Sequence, residues 1–452
     1  VTKVSEFLDR SPHATALMCS HTKAAAATIK ARWGADNKRL QASTLHSYCF
    51  GHLRLNRGQV VDDQKLEEFL NDYGLDLEPG SDGLRYMEFI NYSMSMDREP
   101  MDIYDGSRHP GTRDHFNSVY QGYLKWKSAF GYCDFNDMLV NYCKLNHAPQ
   151  FQMLAVDEAQ DLSLLHWRVI FNMLRQRRSQ ISRVLITGDE DQSLFSYAGV
   201  DPEGMQNFAK ETGAKISVLG QSYRVPVAAH ALAQRVIERV EGRFPKTYLP
   251  TPVPGSVQAG QSVWHLPANI VEGEDTIICY ADKFRREAVE DMLRETHTPY
   301  ESISGMPAPL QTAAGRALRL AARPPGAISE EELSSIRRGL SSRGGNIWDH
   351  AGPEIVLEKL RERDLNMLKV HWTNEEYLRE VPLDVEPTVR ISTIHGCKGM
   401  EASAVHVING VSQSARDHEQ IDPNALHRLF YVAVTRTSNK LYLYEDENGY
   451  DI

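Results

Sequence analysis

The segment Gln152-Met-Leu-Ala-Val-Asp-Glu-Ala-Gln-Asp161 limits the fold more tightly than any other part of the chain. Gln152 to Val156 is a short apolar run without Gly or Pro, the pattern of a strand buried on both faces of a parallel sheet. Two adjacent carboxylates, Asp157 and Glu158, follow at its carboxyl end. That edge is where open α/β sheets bind ligands. One carboxylate there can hold Mg2+ through its water shell, and its neighbour can orient or deprotonate an attacking water. Taken alone, the segment fits equally well an acidic strand-to-helix turn with Asp161 as N-cap.

A second run of the same kind breaks that tie. Arg183 to Thr187 is again β-like, and Gly188-Asp189-Glu190-Asp191-Gln192-Ser193 leaves its end. A helix is expected between the two strands, over Leu164 to Leu174. The two polar clusters resemble motifs II and III of superfamily 1 helicases of the UvrD/Rep type, whose usual forms are Asp-Glu-x-Gln-Asp and Gly-Asp-x-x-Gln-Ser. Two clusters in this order and context are far more specific than either alone.

Composition sets outer limits. A chain of 452 residues should form two to four domains with real cores. Its six cysteines include no Cys-x-x-Cys pair, which argues for reduced thiols in a cytoplasmic protein, without a zinc site or disulfide framework. No apolar run reaches the length of a membrane span, so no membrane partner is expected. The net charge of −10 does not point to nucleic acid. Any DNA contact must come from a local basic track or from stacking.

Further segments extend the resemblance. Val4 to Leu8 reads as the tail of a helix, and Ala14 to Cys19 as a strand. Ser20-His21-Thr22-Lys23 and the alanines after it resemble motif Ia, with a helix to about Trp33. Donors at a helix N-terminus suit a phosphate, although a capped alanine-rich helix would read the same way. Gln41-Ala-Ser-Thr44-Leu-His46-Ser-Tyr48 resembles the family's Thr-x-His-Ser segment, while a lone His46 would more often be structural. Helical stretches are expected at Gln64 to Tyr73 and Phe116 to Phe130, with a mobile turn-rich loop from Met96 to Gly111. Asp134-Phe-Asn-Asp-Met-Leu139 resembles Asp-Phe-x-Asp-Leu-Leu.

Leu194-Phe-Ser-Tyr197-Ala198-Gly199 matches an aromatic segment in which Tyr197 replaces a base-stacking Trp and Ala198 a familiar Arg. Tyr197 is read as a stacker in preference to a core aromatic. Leu219-Gly-Gln-Ser-Tyr223-Arg224 resembles motif IV. Thr276 to Tyr280 reads as a strand, followed by a helix from Arg285 to Thr296. Helices are also expected at Ser329 to Arg338 and Pro353 to Val370. Arg316, Arg319, Arg323, Arg337 and Arg338 either touch duplex DNA or form a solvated face. Val389 to Ala402, containing Thr393-Ile-His395-Gly-Cys-Lys-Gly-Met-Glu401, resembles motif V, and His427 to Arg436 resembles motif VI. Strands are expected at Val405 to Ile408 and Lys440 to Tyr444.

The resemblance implies an α/β fold: two RecA-like parallel-sheet domains, each with a mainly helical inserted subdomain. Residues 1–50 and 131–205 would form the first domain and 51–130 its insertion. Residues 206–305 and 388–452 would form the second, with 306–387 a reduced insertion. ATP and Mg2+ are the implied ligands. Asp157 would hold Mg2+, Glu158 would activate water and Gln192 would sense the γ-phosphate. Tyr223 would stack on adenine, Glu401 would reach the ribose side, and Arg224 and Arg436 would act as arginine fingers. An Arg224 merely paired with a surface carboxylate would contribute little. Thr22, Lys23, Thr44, His46, Tyr197, Thr393 and His395 would meet DNA.

No Gly-x-x-x-x-Gly-Lys-[Ser/Thr] phosphate loop occurs in the sequence. In the family it precedes motif Ia by one helix and one strand, so it is expected upstream of Val1; a genuine loss is the other account. The first is favoured because Glu158, Gln192, Arg224 and Arg436 are all retained. The expected activity, conditional on that loop, is ATP-driven movement along single-stranded DNA, 3′-to-5′ by resemblance, with unwinding at single/double-strand junctions. The protein would act as a monomer, with loading or replication proteins as further partners. The alternatives are a translocase that strips proteins with little unwinding, and a catalytically silent binding module. A nuclease-fused subunit is disfavoured, because the chain ends just past motif VI.

Overall fold

In the computed structural model, the short apolar runs pair in parallel. The structure describes residues 2–20, 26–27, 29–31, 38–78, 80–105, 111–145, 147–305, 307–311, 316, 319, 329, 331–332, 381–382, 385–419, 422–446 and 448–452. The chain divides into two compact units, Val1–Ser217 and Val218–Ile452.

The sheet of the first unit contains β1 (Ala16–Cys19), β2 (Leu40–Ser43), β3 (Met153–Val156) and β4 (Arg183–Ile186), in the order β2-β1-β3-β4. Every pairing is parallel. β3 is buried at all four positions, and its alternating side chains supply two cores. Leu154 and Val156 pack with residues of helices Leu45–Leu53, Phe135–Lys144 and Leu164–Arg175. Met153 and Ala155 pack with Val4 and Leu8 of helix Thr2–Arg10 and with Ile29. Burial on both faces is why this strand carries no polar residue. Asp161 is not a helix cap: it lies in a single tight turn, Ala159–Asp161. Ser163 caps the helix instead, in a reciprocal box with His166.

Between helices Leu45–Leu53 and Phe135–Lys144 the chain forms helices Asp63–Asn71, Asp82–Ser95, Pro100–Ile103 and Arg113–Phe130. These share a core of their own, including Phe69, Tyr86, Phe89, Phe116 and Tyr120. Pro100–Ile103 falls in the stretch read as a loop. The two ends of this segment are tied together: Val61 N–H donates to the Cys133 carbonyl at 3.2 Å, and Cys133 N–H to the Gln59 carbonyl at 2.8 Å. Lys127, buried near the end of the long helix, lies 2.5 Å from Asp134 and 2.7 Å from Asp137. Asp134 and Asp137 also form the capping box of helix Phe135–Lys144.

The second unit contains β5 (Ser256–Ser262), β6 (Thr276–Tyr280), β7 (Tyr300–Ser302), β8 (Val389–Thr393), β9 (Ala402–Ile408) and β10 (Thr437–Glu445). Their order is β5-β10-β9-β6-β8-β7, parallel throughout. Ile278, Tyr280, Val289, Leu293, Tyr300, Ile391 and Tyr444 build the core on one side. Helices Val227–Ile237 and Ala425–Val434 pack together. β10 begins three residues earlier than its apolar run, after a register shift between Thr437 and Lys440 where the Thr437 hydroxyl donates to the Lys440 carbonyl. The α/β class with two parallel sheets agrees with the sequence reading. Thr22, Lys23, Arg323, Arg337, Arg338, the helix expected at 353–370 and most of that at 329–338 lie outside the described residues. Arg319 pairs with Glu386 at 2.6 Å. Among the described residues, no helix is long and apolar enough to cross a membrane.

Candidate functional site

Parallel pairing brings all the strand ends of the first sheet to one edge. Ser20, Thr44, Asp157 and Thr187 each follow a strand, and the register sets Cys19 beside both Ser43 and Val156, and Val156 beside Ile186. Hydrogen bonds continue past the strands: Ser20 N–H to the Ser43 carbonyl, Asp157 N–H to Cys19 and Thr187 N–H to Val156. The four residues therefore stand in a row, about 4.8 Å apart. The Ser20 hydroxyl is buried and has no hydrogen-bond partner among the described residues.

At the centre of this row the Thr187 hydroxyl donates to the Asp157 carboxylate at 2.7 Å. Glu158 takes a left-handed backbone, φ 55°. A non-glycine residue there costs roughly 1–3 kcal/mol and persists only where its surroundings impose it. Gln160 supplies that constraint. Its amide nitrogen donates to Glu158 at 2.6 Å, and its amide oxygen accepts from Asp189 N–H at 3.0 Å. Asp189 in turn accepts from the Gln192 side chain at 2.7 Å. Glu158 and Gln192 are thus joined through Gln160 and Asp189 across the ends of β3 and β4, and Asp157 is tied to Thr187 beside them. Gly188 is required for it, since a Cβ there would come within 2.5 Å of the Gln160 side-chain oxygen and 3.1 Å of Ala159 N. Neither Gln160 nor Asp189 has an assigned role in the sequence reading; the signal for them is their position beside Glu158 and Gln192 in the two polar segments.

Thr44 is a buried N-cap whose oxygen accepts from Ser47 N–H at 3.1 Å. His46, on the first turn of that helix, meets Phe135 edge-on at 5.5 Å and His166 at 5.0 Å. Phe135 is 56 % exposed and Tyr197 53 % exposed. The turn bearing Tyr197 packs on helix Asp82–Ser95. Gly199 lets it approach: it has φ 81°, and a Cβ there would fall 2.8 Å from Ser95 Cβ. The sequence signal for Phe135 is weak, a large aromatic directly after the capping Asp134.

In the second unit, Arg224 follows a turn held by the Ser222 hydroxyl, which accepts from Val225 N–H at 3.0 Å. Its Nε is buried without a hydrogen-bond partner among the described residues, and its nearest carboxylate, Glu401, is 3.9 Å away and largely exposed. Burial, and then the neighbouring Arg436 cation, lower the Arg224 pKa to about 10; Glu401 acts in the opposite direction. Arg436 is 1 % exposed, donating from Nε to the Val432 carbonyl at 2.8 Å and from its terminal nitrogen to the Thr435 hydroxyl at 2.9 Å. Two guanidinium groups so placed, one with an orphaned donor, favour an anion. Tyr223 beside them is 91 % exposed. Thr393 ends β8, its N–H donating to the Ser304 hydroxyl at 2.8 Å and its hydroxyl accepting from Gly396 N–H at 3.0 Å. His395 lies in the following turn.

The residues around Asp157 suit Mg2+ bound mainly through water, since one oriented carboxylate is offered and, among the described residues, no group of three or more His, Cys, Asp or Glu could form a protein cage. The two arginines suit phosphate oxygens.

Comparison with known proteins gives the same direction. The model of the UvrD/REP helicase N-terminal domain matches residues 10–213, and that of the UvrD-like helicase C-terminal domain matches residues 388–444. The chain is 22 % identical over 481 residues to the ATP-dependent DNA helicase UvrD2 of Mycobacterium tuberculosis, covering 91 % of this chain and 68 % of that protein. It is 25 % identical over 193 residues to DNA helicase II of Escherichia coli, covering 36 % of this chain and 26 % of the relative. It is 28 % identical over 140 residues to the ATP-dependent DNA helicase PcrA of Bacillus subtilis, covering 29 % and 18 %. The chain therefore spans only about a quarter of DNA helicase II. The two domain models together cover more than half the chain, in the order of its two parallel sheets. On these matches, and on the motif segments seated at the strand ends, the chain belongs to the UvrD/Rep-type superfamily 1 helicases.

Proposed function

We propose that this protein is an ATP-dependent DNA helicase that moves 3′-to-5′ along single-stranded DNA and opens duplex at single/double-strand junctions. The observation that carries the reading is the Glu158–Gln160–Asp189–Gln192 lattice. It holds the carboxylate of Glu158, on its left-handed backbone, in place for a water and ties it to the segment that leads to Tyr197.

In this reading Asp157, oriented by Thr187, holds Mg2+, which when bound neutralises charge on the phosphates. Glu158 orients and deprotonates the attacking water, and Gln192 reports on the γ-phosphate. Arg224 and Arg436 neutralise the charge that develops as the bond to the leaving group breaks. Tyr223 stacks on adenine and Glu401 meets the ribose side. Thr22, Lys23, Thr44, His46, Tyr197, Thr393 and His395 contact DNA, with exposed Phe135 as a further stacking face. Residues 51–130 are the inserted helical subdomain and 306–387 a reduced second insertion. The protein works in the cytoplasm as a monomer, recruited by loading or replication proteins. Hydrolysis is conditional on a phosphate loop, which these 452 residues do not contain.

The test uses the protein carrying such a loop. Single-stranded DNA should stimulate its ATPase, and Glu158→Gln should remove turnover while DNA binding remains. Phe135→Ala should weaken single-strand binding by about 5- to 150-fold, the range for one lost stack of roughly 1–3 kcal/mol. Tailed duplexes of both polarities, and a protein-blocked single strand, separate the helicase from a translocase that mainly displaces proteins. The alternative is a catalytically silent binding module. That alternative predicts no DNA-stimulated hydrolysis and no effect of Glu158→Gln on any activity.

A further inference from the structure

Cys279 lies in β6 and Cys397 in the turn after β8, and both are fully buried. The strands are neighbours, with Tyr280 beside Thr393. Past their ends, Ile394 N–H donates to the Tyr280 carbonyl at 2.9 Å and Cys397 N–H to the Thr393 carbonyl at 3.0 Å. The turn therefore folds back and brings the Cys397 side chain under the end of β6. The two sulfurs are 3.4 Å apart, with the Cys279 thiol donating to Cys397 Sγ. The Cys397 thiol is 3.2 Å from the Ile394 carbonyl.

The two sulfurs are unequal. The Cys279 hydrogen bond is the largest influence on Cys397 and lowers its pKa; burial opposes this, and the Arg436 and Arg224 cations add to the lowering. The same contact, with burial, holds the Cys279 thiol well above its ordinary range. Burial instead pushes Cys19 up to about 12. The contact makes Cys397 the more acidic sulfur of the pair and sets Cys279 beside it, where it can complete a disulfide once a local opening of the turn admits an oxidant.

We propose that Cys279 and Cys397 are a modification site, a dithiol that a hydroperoxide converts to an intramolecular disulfide. The Cys397 thiolate attacks the outer peroxide oxygen. An S–O bond forms, the O–O bond breaks, and the leaving oxygen takes up a proton as an alcohol, or as water when hydrogen peroxide is the oxidant. Cys279 then loses its proton and attacks the Cys397 sulfenic acid, forming S–S and expelling hydroxide, which leaves with that proton as water. The two thiols give up two electrons in all, and the peroxide takes them. The sulfurs must close from 3.4 Å to about 2.05 Å. Closure that draws the turn toward β6 shifts His395, so oxidation is expected to change the DNA contact assigned to this turn. Only that last effect rests on the function proposed above.

The test takes the 452-residue protein, folded, through hydrogen peroxide, then alkylation in denaturant and peptide mass spectrometry without reductant. The expected product links the Cys279 and Cys397 peptides with the loss of two hydrogens, and dithiothreitol reverses it. In Cys279→Ser a hydroxyl donor to Cys397 is kept while the resolving sulfur is gone, and a sulfenic-acid trap should label Cys397 instead. Six alkylatable thiols after peroxide, oxidation confined to half-buried Cys143, or equal cross-linking of the chain in denaturant would each overturn the proposal. None of these outcomes depends on ATP hydrolysis, so failure here is distinguishable from failure of the helicase reading.

Discussion

At the scale of single residues, His406 exposes the cost of burying a titratable group. It sits fully buried in β9, with its ring stacked on Tyr442 at 4.5 Å and Nδ1 2.9 Å from the Tyr444 hydroxyl. Its Nε2 has no partner among the described residues. Burial pushes its pKa down to about 3, against about 6.5 in an unfolded chain. Between those values the unfolded state binds the extra proton, so stability rises with pH through the window. The contribution is complete above about 6.5 and is lost as pH falls toward 3, with a slope of at most about 1.4 kcal/mol per pH unit. Urea unfolding followed from pH 7 to pH 4 should show this loss, and His406→Phe should flatten that part of the profile. An unchanged profile in the variant would mean that other groups govern acid sensitivity. Residue-scale features of this kind are the least legible in a sequence. The order of residues identified Glu158 as a carboxylate at a strand end. Its left-handed backbone, and the bond from Asp189 that fixes its neighbour Gln160 across some thirty residues, are carried by no local pattern.

At the scale of elements, the link between helix Arg113–Phe130 and helix Phe135–Lys144 is a buried ion cluster. Burial alone would depress the Lys127 ammonium, but Asp134 and Asp137 outweigh it and raise its pKa. Lys127→Ala would leave two carboxylates facing each other in a buried site, and breaking such a cluster costs about 3–5 kcal/mol. Chemical denaturation of the variant should show a loss of that size in the transition of the first unit. A loss below 1 kcal/mol would place the charges in effective contact with water. Elements themselves were largely legible. β3 follows an unbroken apolar run and β6 a largely apolar one opened by Thr276, the composition usual for strands buried on both faces. Boundaries and caps were less so. Asp161 and Ser163 are both capping residue types, and only the tight turn at Ala159–Asp161, imposed by the Thr187 carbonyl accepting from Ala159 N–H, selects the second.

At the scale of the whole molecule, one expectation concerns the anion site of the second unit. If the cation pair is built for phosphate oxygens, tripolyphosphate should raise the thermal midpoint of the parent protein. At one hundred times its dissociation constant, a ligand selective for the folded state adds about 2.7 kcal/mol. Arg224→Gln should lose most of that shift, while sulfate at equal ionic strength should give little in either protein. Equal shifts in parent and variant would remove Arg224 from the reading.

The hydrogen bonds that join Gln59 and Val61 to Cys133 carry a separate consequence. Because the polypeptide departs and returns through adjoining points, the helices between them form a cassette whose ends stay fixed when parts away from the Asp82–Ser95 contact with the Tyr197 turn are lengthened, shortened or exchanged. Descendants of such a gene are free to alter what this cassette touches while inheriting the row of strand ends unchanged.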